Sequence, residues 1–137
     1  MKTAFIDTNI IFYAFGKEHP LKARCFDLLK KASKGELAVV TNAEVLQEIL
    51  YVHWRRNDLE RGGEVFDAVQ GLLQEVYPVD METMREARML LDKYPNIPPR
   101  DAVHAATAII NDIPLIITAD RHFSSIREIK ARMLAEA

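Results

Sequence analysis

Four of the 20 acidic residues stand where solubility alone does not account for them. Asp7 and Asp120 each follow a short apolar run almost immediately, as residues at the carboxyl end of a buried strand do. Glu48 lies in the second turn of a predicted helix, at the margin of its apolar face. Asp101 lies in the first turn of an alanine-rich helix. Because ligands bind at the carboxyl edge of open parallel sheets, this pattern indicates a site there.

Carboxylates that converge on one sheet edge repel one another and are driven to bind protons unless a cation neutralises them. Mg²⁺ and Mn²⁺ are hard divalent ions that prefer such oxygen ligands. They support phosphodiester hydrolysis by polarising phosphate oxygens and activating water. Taken one at a time, each acid also fits a helix cap, a helix-dipole carboxylate or a boundary residue. The prediction of a metal-dependent nuclease therefore rests on their convergence.

Apolar runs and amphipathic stretches alternate along the chain and predict an α/β domain with a parallel sheet. The four predicted strands are residues 3–6, 37–40, 76–79 and 115–118. The predicted helices are residues 20–33, 43–56, 63–74, 81–93 and 101–111, with a break at Gly62-Gly63 before the third. Residues 126–137 fit either an edge strand or a helix. The helix of Asp101 follows another helix, so its place relative to the sheet edge cannot be deduced.

The composition limits the class of protein. The chain of 137 residues fits one domain, residues 1–137, and its 49% hydrophobic residues suffice for a core. A net charge of −2 excludes a wholesale polyanion binder, so any nucleic-acid contact needs a local patch. The single cysteine, Cys25, excludes an intrachain disulfide and a thiolate zinc site and is expected in the core. Without a long apolar run, we expect a cytoplasmic protein that makes no membrane contact.

Four stretches, in this order and spacing, resemble the PIN-domain ribonucleases, including the VapC-type toxins of toxin–antitoxin pairs. They are residues 5–9 (FIDTN), 45–50 (VLQEIL), 100–106 (RDAVHAA) and 118–123 (TADRHF). The resemblance covers nearly the whole chain. It implies a three-layer α/β/α domain with a short central parallel sheet, and a metal-dependent endoribonuclease that uses Mg²⁺ or Mn²⁺.

The resemblance also implies roles for particular residues. The catalytic, metal-binding acids would be Asp7, Glu48, Asp101 and Asp120. The small polar residues beside them, which would hold carboxylates or water, are Thr8, Asn9 and Thr118. Toxin members of the family act on RNA, dimerise with a second copy and are inhibited by an antitoxin protein, so these partners are expected here.

Two positions bear on the assignment of the acids. Many relatives carry a further acid just after the Phe of the last motif, whereas this chain has Ser124 there, which leaves that corner of the site to Asp120. Glu44 lies one helical turn before Glu48 on nearly the same stripe. Glu48 is the better candidate because it lies nearer the apolar face and in the sequence context of the family motif.

Positively charged and histidine side chains flank the acids. Arg100, Arg121 and His122 are placed to hold phosphates next to the scissile one, or are ordinary solvated groups. His104, three residues after Asp101, either reaches the rim of the site or packs between elements.

Two other functions compete with the nuclease. One is a catalytically weak PIN-like module that binds RNA or a protein partner, which the missing acid at Ser124 mildly favours. The other is a phosphotransfer protein, because Asp7 after a strand also resembles an aspartyl-phosphate motif. Such a protein would need a lysine after a later strand, and the predicted strands 37–40 and 115–118 lack one.

Overall fold

The central sheet is parallel throughout. The computed structural model describes residues 2–134. Its strands are β1 (Thr3–Ile6), β2 (Ala38–Asn42), β3 (Glu75–Tyr77), β4 (Leu115–Thr118) and β5 (Lys130–Met133). They lie in the order β3-β2-β1-β4-β5, and every neighbouring pair is parallel. All carboxyl ends therefore face one edge of the sheet, the position at which such sheets bind ligands.

The first strand occupies the centre of the sheet because its residues are apolar on both faces. Ala4, Phe5 and Ile6 are completely buried. Phe5 pairs with Val40 of β2 on one side, and Ile6 pairs with Ile117 of β4 on the other. The residues that follow β1, β2 and β4 consequently emerge side by side.

Helices cover both faces of the sheet. In residues 2–134 these are α1 (Thr8–Phe15), α2 (Lys22–Ser33), α3 (Ala43–Arg55), α4 (Leu59–Leu72), α5 (Met81–Lys93) and α6 (Pro99–Ile110). Helix α1 packs against α2 and α3, α3 packs against α4, and α5 packs against α6. A 3₁₀ turn at Arg121–Ser125 lies between β4 and β5. The arrangement confirms the predicted α/β/α fold with a short parallel sheet.

The four predicted strands are present, with ends shifted by at most two residues. The ambiguous C-terminal stretch forms the edge strand β5, and its last residues, 135–137, lie outside the described residues. Helix α1 was absent from the predicted elements. Six of its eight residues are apolar or aromatic and its two polar residues are both at the start, so it lacks the polar face that marks an amphipathic helix.

The predicted break at Gly62-Gly63 is wrong, because α4 begins at Leu59 and runs through both glycines. Gly62 is buried, and a Cβ atom added there would lie 2.7 Å from the Cβ of His53. Gly62 thus permits close approach of α3 and α4 instead of ending a helix.

Cys25 is buried, as its position in the helical pattern predicts. Burial raises the pKa of its thiol to about 12, so the group stays protonated and packs as a small apolar side chain. Among the helices described, none combines the length and apolar character required to cross a bilayer.

Candidate active site

A small polar cavity opens at the carboxyl edge of the sheet. Its volume is about 20 Å³, which is room for one water molecule or small ion. It is lined by Asp7, Thr8, Asn9, Glu48, Arg100, Asp101, His104 and Asp120. The four acids of the sequence prediction therefore meet at one place, although they come from distant parts of the chain.

Asp7 follows β1 and is buried almost completely, with 4% of its surface exposed. The hydroxyl of Thr118, at the end of β4, donates to Asp7 Oδ2 over 2.7 Å. Within residues 2–134, Asp7 Oδ1 has no hydrogen-bond partner. Burial raises the pKa of Asp7 to about 6, although the hydrogen bond from Thr118 opposes the increase. The pocket thus holds a carboxylate whose negative charge is only partly compensated.

Glu48 points toward the same cavity from α3. Val45 and Ile49, which flank it on the inner side of α3, are fully buried, and Glu48 itself is only 7% exposed. One carboxylate oxygen, Oε2, lies 3.3 Å from the guanidinium of Arg100, whose side chain is 59% exposed. The other, Oε1, lies 3.5 Å from Nε2 of the buried His104.

Asp101 and Asp120 share a histidine. His122 Nδ1 lies 3.0 Å from Asp101 Oδ2 and 2.9 Å from Asp120 Oδ1. The hydrogen bond to Asp101 raises the pKa of His122, and burial raises the pKa of Asp101. One ligand atom from each of these three residues lies within 4.8 Å of the other two, a spacing at which they could hold a cation.

The structure shows where Asp101 lies relative to the sheet edge, which the sequence left open. Pro99 occupies the first turn of α6, and Asp101 follows in the same turn beside the cavity. Helix α6 contacts both β2 and β4, which brings this helix end to the sheet edge.

The predicted supporting residues divide into two groups. Thr8 and Asn9 line the cavity at the start of α1, and Thr118 contacts Asp7 directly. Thr118 also accepts the backbone N–H of Asp120 over 2.8 Å, so one hydroxyl contacts two of the acidic positions.

Not every residue considered in the sequence reaches the cavity. In the described part of the chain, Arg121, Ser124 and Glu44 lie outside its lining, whereas Arg100 lines it and His122 contacts two of its acids. Arg121 and Ser124 are exposed on the 3₁₀ turn.

His104 does both things that the sequence allowed. It packs against Phe5, with ring centroids 5.6 Å apart, and it also faces Glu48. The sequence signal for this second role is its spacing from Asp101, because residues three apart on a helix lie on one side.

The chemistry of the donor set fits a hard divalent cation. All four acids offer oxygen, and two buried oxygens, Asp7 Oδ1 and Glu48 Oε1, have no hydrogen-bond partner among the residues described. Buried polar atoms are normally satisfied, so Asp7 Oδ1 in particular calls for a positively charged occupant, whereas Glu48 Oε1 has Nε2 of His104 within 3.5 Å. An aspartyl-phosphate site would require a lysine, and the described lining of this cavity contains none.

Comparison with known proteins supports the same family. The model of the family described as "PIN domain" matches residues 4–129. A curated relative, VapC ribonuclease Mb1869c of Mycobacterium bovis, is 37% identical over 125 residues, which is 91% of this chain and 95% of that protein.

Solved structures of low sequence identity share the fold. VapBC2 from Rickettsia felis, bound to a DNA fragment from its promoter, matches with a TM-score of 0.74 at 18% identity, covering 96% of this chain and 98% of that one. VapC20 of Mycobacterium tuberculosis, a toxin that cleaves the sarcin-ricin loop, matches with a TM-score of 0.71 at 17% identity, covering 92% and 98%. With a family model that spans most of the chain and a relative of this similarity, the protein belongs to the PIN-domain family.

Proposed function

We propose that this protein is an endoribonuclease that hydrolyses RNA phosphodiester bonds with Mg²⁺ or Mn²⁺ as its cofactor. The observation that carries the proposal is the cluster of Asp7, Glu48, Asp101 and Asp120 around one cavity, where a buried oxygen of Asp7 has no partner among the described residues. The ribonuclease name of the relative at 37% identity supports RNA as the substrate.

The four acids would hold the cation. When bound there, a divalent ion polarises a phosphate oxygen, activates a water molecule and stabilises the leaving oxygen. Thr118 holds the Asp7 carboxylate in place, and Asn9 offers an amide at the rim of the cavity.

The cationic groups around the cavity would bind the substrate. Arg100 has a mostly exposed guanidinium beside the site, and it supplies donors for a phosphate next to the scissile one. His122 and Arg121 are exposed on the 3₁₀ turn, where they would contact phosphates further along the bound RNA.

The biological role we propose is that of the toxin in a type II toxin–antitoxin system. The structures that share this fold include toxin–antitoxin complexes, and the relative reported above is a VapC ribonuclease. The expected partners are an RNA substrate, an antitoxin protein and a second copy of this chain, and the expected compartment is the cytoplasm.

A cleavage assay tests the activity. The purified protein is incubated with a mixed pool of structured and single-stranded RNAs in the presence of Mg²⁺, Mn²⁺ or EDTA. The Asp7→Asn variant tests the site, and Asp67→Asn, which alters an exposed acid on α4, is the matched control. We expect the wild type and Asp67→Asn to cleave RNA only with metal, and Asp7→Asn to be inactive.

Two results would contradict the proposal. Cleavage that persists in EDTA, or in the Asp7→Asn variant, would show that the reaction does not use this metal site. Intact RNA in every reaction, together with RNA binding by the wild type, would favour the catalytically weak module that binds RNA or a protein.

A further inference from the structure

The amide of Asn42 has a single orientation in this structure. Asn42 caps α3, and its Oδ1 accepts the backbone N–H of Val45 over 3.0 Å. A backbone N–H can only donate, so Oδ1 must be the oxygen and Nδ2 must point the other way. Nδ2 lies 2.9 Å from Thr107 Oγ1 and 3.1 Å from His104 Nδ1.

This orientation fixes the proton on the imidazole of His104. The Thr107 hydroxyl gives its own hydrogen to the carbonyl of Val103 over 2.9 Å, so it accepts one hydrogen of the Asn42 amide. The second amide hydrogen is directed at His104 Nδ1. Because Nδ2 has no lone pair to offer, Nδ1 is the acceptor and carries no proton. A neutral imidazole with a bare Nδ1 carries its hydrogen on Nε2.

The Nε2–H group faces the candidate active site. It lies 3.5 Å from Glu48 Oε1, and both side chains are buried. In the chain from residue 2 to residue 134, neither His104 Nε2 nor Glu48 Oε1 has another hydrogen-bond partner. The gap is about half an ångström longer than an ordinary N–H···O bond, so the bond requires a small rotation of the carboxylate toward His104.

We propose that His104 is a positioning residue that donates its Nε2–H to Glu48 and sets the direction of that carboxylate, and that Asn42 selects the required tautomer. The inference rests on the proposed function in so far as Glu48 is a metal ligand. Its geometric part, the tautomer, is independent of any metal.

The neutral state of His104 suits this task. An imidazolium against Glu48 would neutralise the carboxylate and compete with a cation for it. A neutral N–H donor orients the same carboxylate and leaves its charge available. Arg100 contacts the other oxygen of Glu48, but its side chain is largely exposed and can turn to a phosphate. Of the two partners of Glu48, the buried His104 is therefore the one held in place.

Nitrogen-15 NMR of histidine-labelled protein tests the tautomer directly. The His104 signals are assigned by their absence from His104→Gln. We expect Nε2 protonated and Nδ1 bare in the wild type. Asn42→Asp keeps the oxygen that caps α3 but removes both amide hydrogens, so Nδ1 should become protonated. Asn111→Asp, at the other end of α6, is the matched control and should leave the tautomer unchanged.

Titration with Mn²⁺, followed by electron paramagnetic resonance, tests the effect on the site. In His104→Gln the amide nitrogen reaches the former position of Nε2, whereas in His104→Asn it reaches only that of Nδ1. We expect Gln to keep the Mn²⁺ affinity within about threefold and Asn to weaken it by about tenfold or more, the usual effect of losing a partner of a metal ligand. Thermal melting of both variants checks that they are folded.

The outcomes separate this proposal from the preceding one. Equal Mn²⁺ affinities in the two folded variants, or a wild-type His104 protonated on Nδ1, would overturn the positioning role alone. A wild-type protein that binds no Mn²⁺ would overturn the metal site, and with it the role of His104 toward that site, even where the NMR spectra show the expected tautomer.

Discussion

Thr118 and Asp7 lie 111 positions apart in the chain, yet the Thr118 hydroxyl donates to Asp7 Oδ2 over 2.7 Å. The contact exists because β4 pairs with β1 at the centre of the sheet, so both strands end at the same level. The same hydroxyl accepts the N–H of Asp120 over 2.8 Å. A single buried oxygen therefore fixes the spacing of two acidic positions.

Replacing Thr118 by Val should weaken both stability and metal binding. Val has nearly the same shape but leaves Asp7 Oδ2 and the Asp120 N–H without their partner, which costs about 1–3 kcal/mol when such groups are buried. Urea denaturation measures the free energy of unfolding, and calorimetry measures Mn²⁺ affinity. Thr118→Ser keeps the hydroxyl and should retain the affinity; an equal loss in both variants would show that the methyl group matters instead.

Asp7→Asn should stabilise the protein in EDTA. Ionised Asp7 is disfavoured in the fold because burial raises its pKa from 3.8 to about 6. The folded state therefore binds a proton more tightly than the unfolded state, and stability falls as the pH rises from about 4 to about 6. The cost above pH 6 is at most about 3 kcal/mol, and an amide avoids it.

Urea denaturation in EDTA at pH 4 and pH 7.5 measures this effect. We expect Asp7→Asn to be more stable than the wild type at pH 7.5 and to differ little at pH 4. The exposed Asp67→Asn serves as the control and should change neither value. A variant that is no more stable at pH 7.5 would mean that the Asp7 carboxylate is not strained by burial.

Glu48→Gln should impair RNA cleavage far more than Glu44→Gln. Glu48 lines the cavity, and Glu44, one turn earlier on α3, lies outside its described lining. Loss of a partner of a metal ligand costs about 10- to 100-fold, so loss of a ligand itself should cost at least as much. Initial cleavage rates at saturating Mg²⁺ measure the difference, and the reverse order would move the ligand by one helical turn.

The two adjacent glycines of α4 should respond oppositely to alanine. At Gly62 a new Cβ would lie 2.7 Å from His53 Cβ, so Gly62→Ala forces α3 and α4 apart and should destabilise the protein by about 1–3 kcal/mol. At Gly63 nothing described lies within 4 Å, and Gly63→Ala should stabilise by about 0.5–1 kcal/mol. Urea denaturation of the pair measures both; similar stabilities would contradict the close packing of α3 and α4.

Local pattern was enough to predict most of the fold. Strands β1 and β4 are short apolar runs, and the acid that follows each of them predicted Asp7 and Asp120 at one sheet edge. Asp101 could not be placed, because its position depends on the contacts of α6 with β2 and β4, which no local periodicity encodes. The break at Gly62 was wrong for a similar reason, since a glycine that admits a neighbouring helix has the same sequence signature as one that ends a helix.

The network around His104 lies beyond local pattern altogether. Asn42 and Thr107 are 65 positions apart, and the proton on His104 follows only from knowing which atom of Asn42 faces it. In sequence, Asn42 is an ordinary helix cap, and Thr107 is one polar residue in an alanine-rich helix.

The central place of β1 in the sheet has a consequence during synthesis. Asp7 is synthesised well before its neighbour β4, which spans Leu115–Thr118, and Asp120 comes later still. A nascent chain shorter than this has β1 without one of its two flanking strands and lacks part of the acidic cluster. A cleavage activity that depends on this cluster would therefore begin only after translation has passed Asp120.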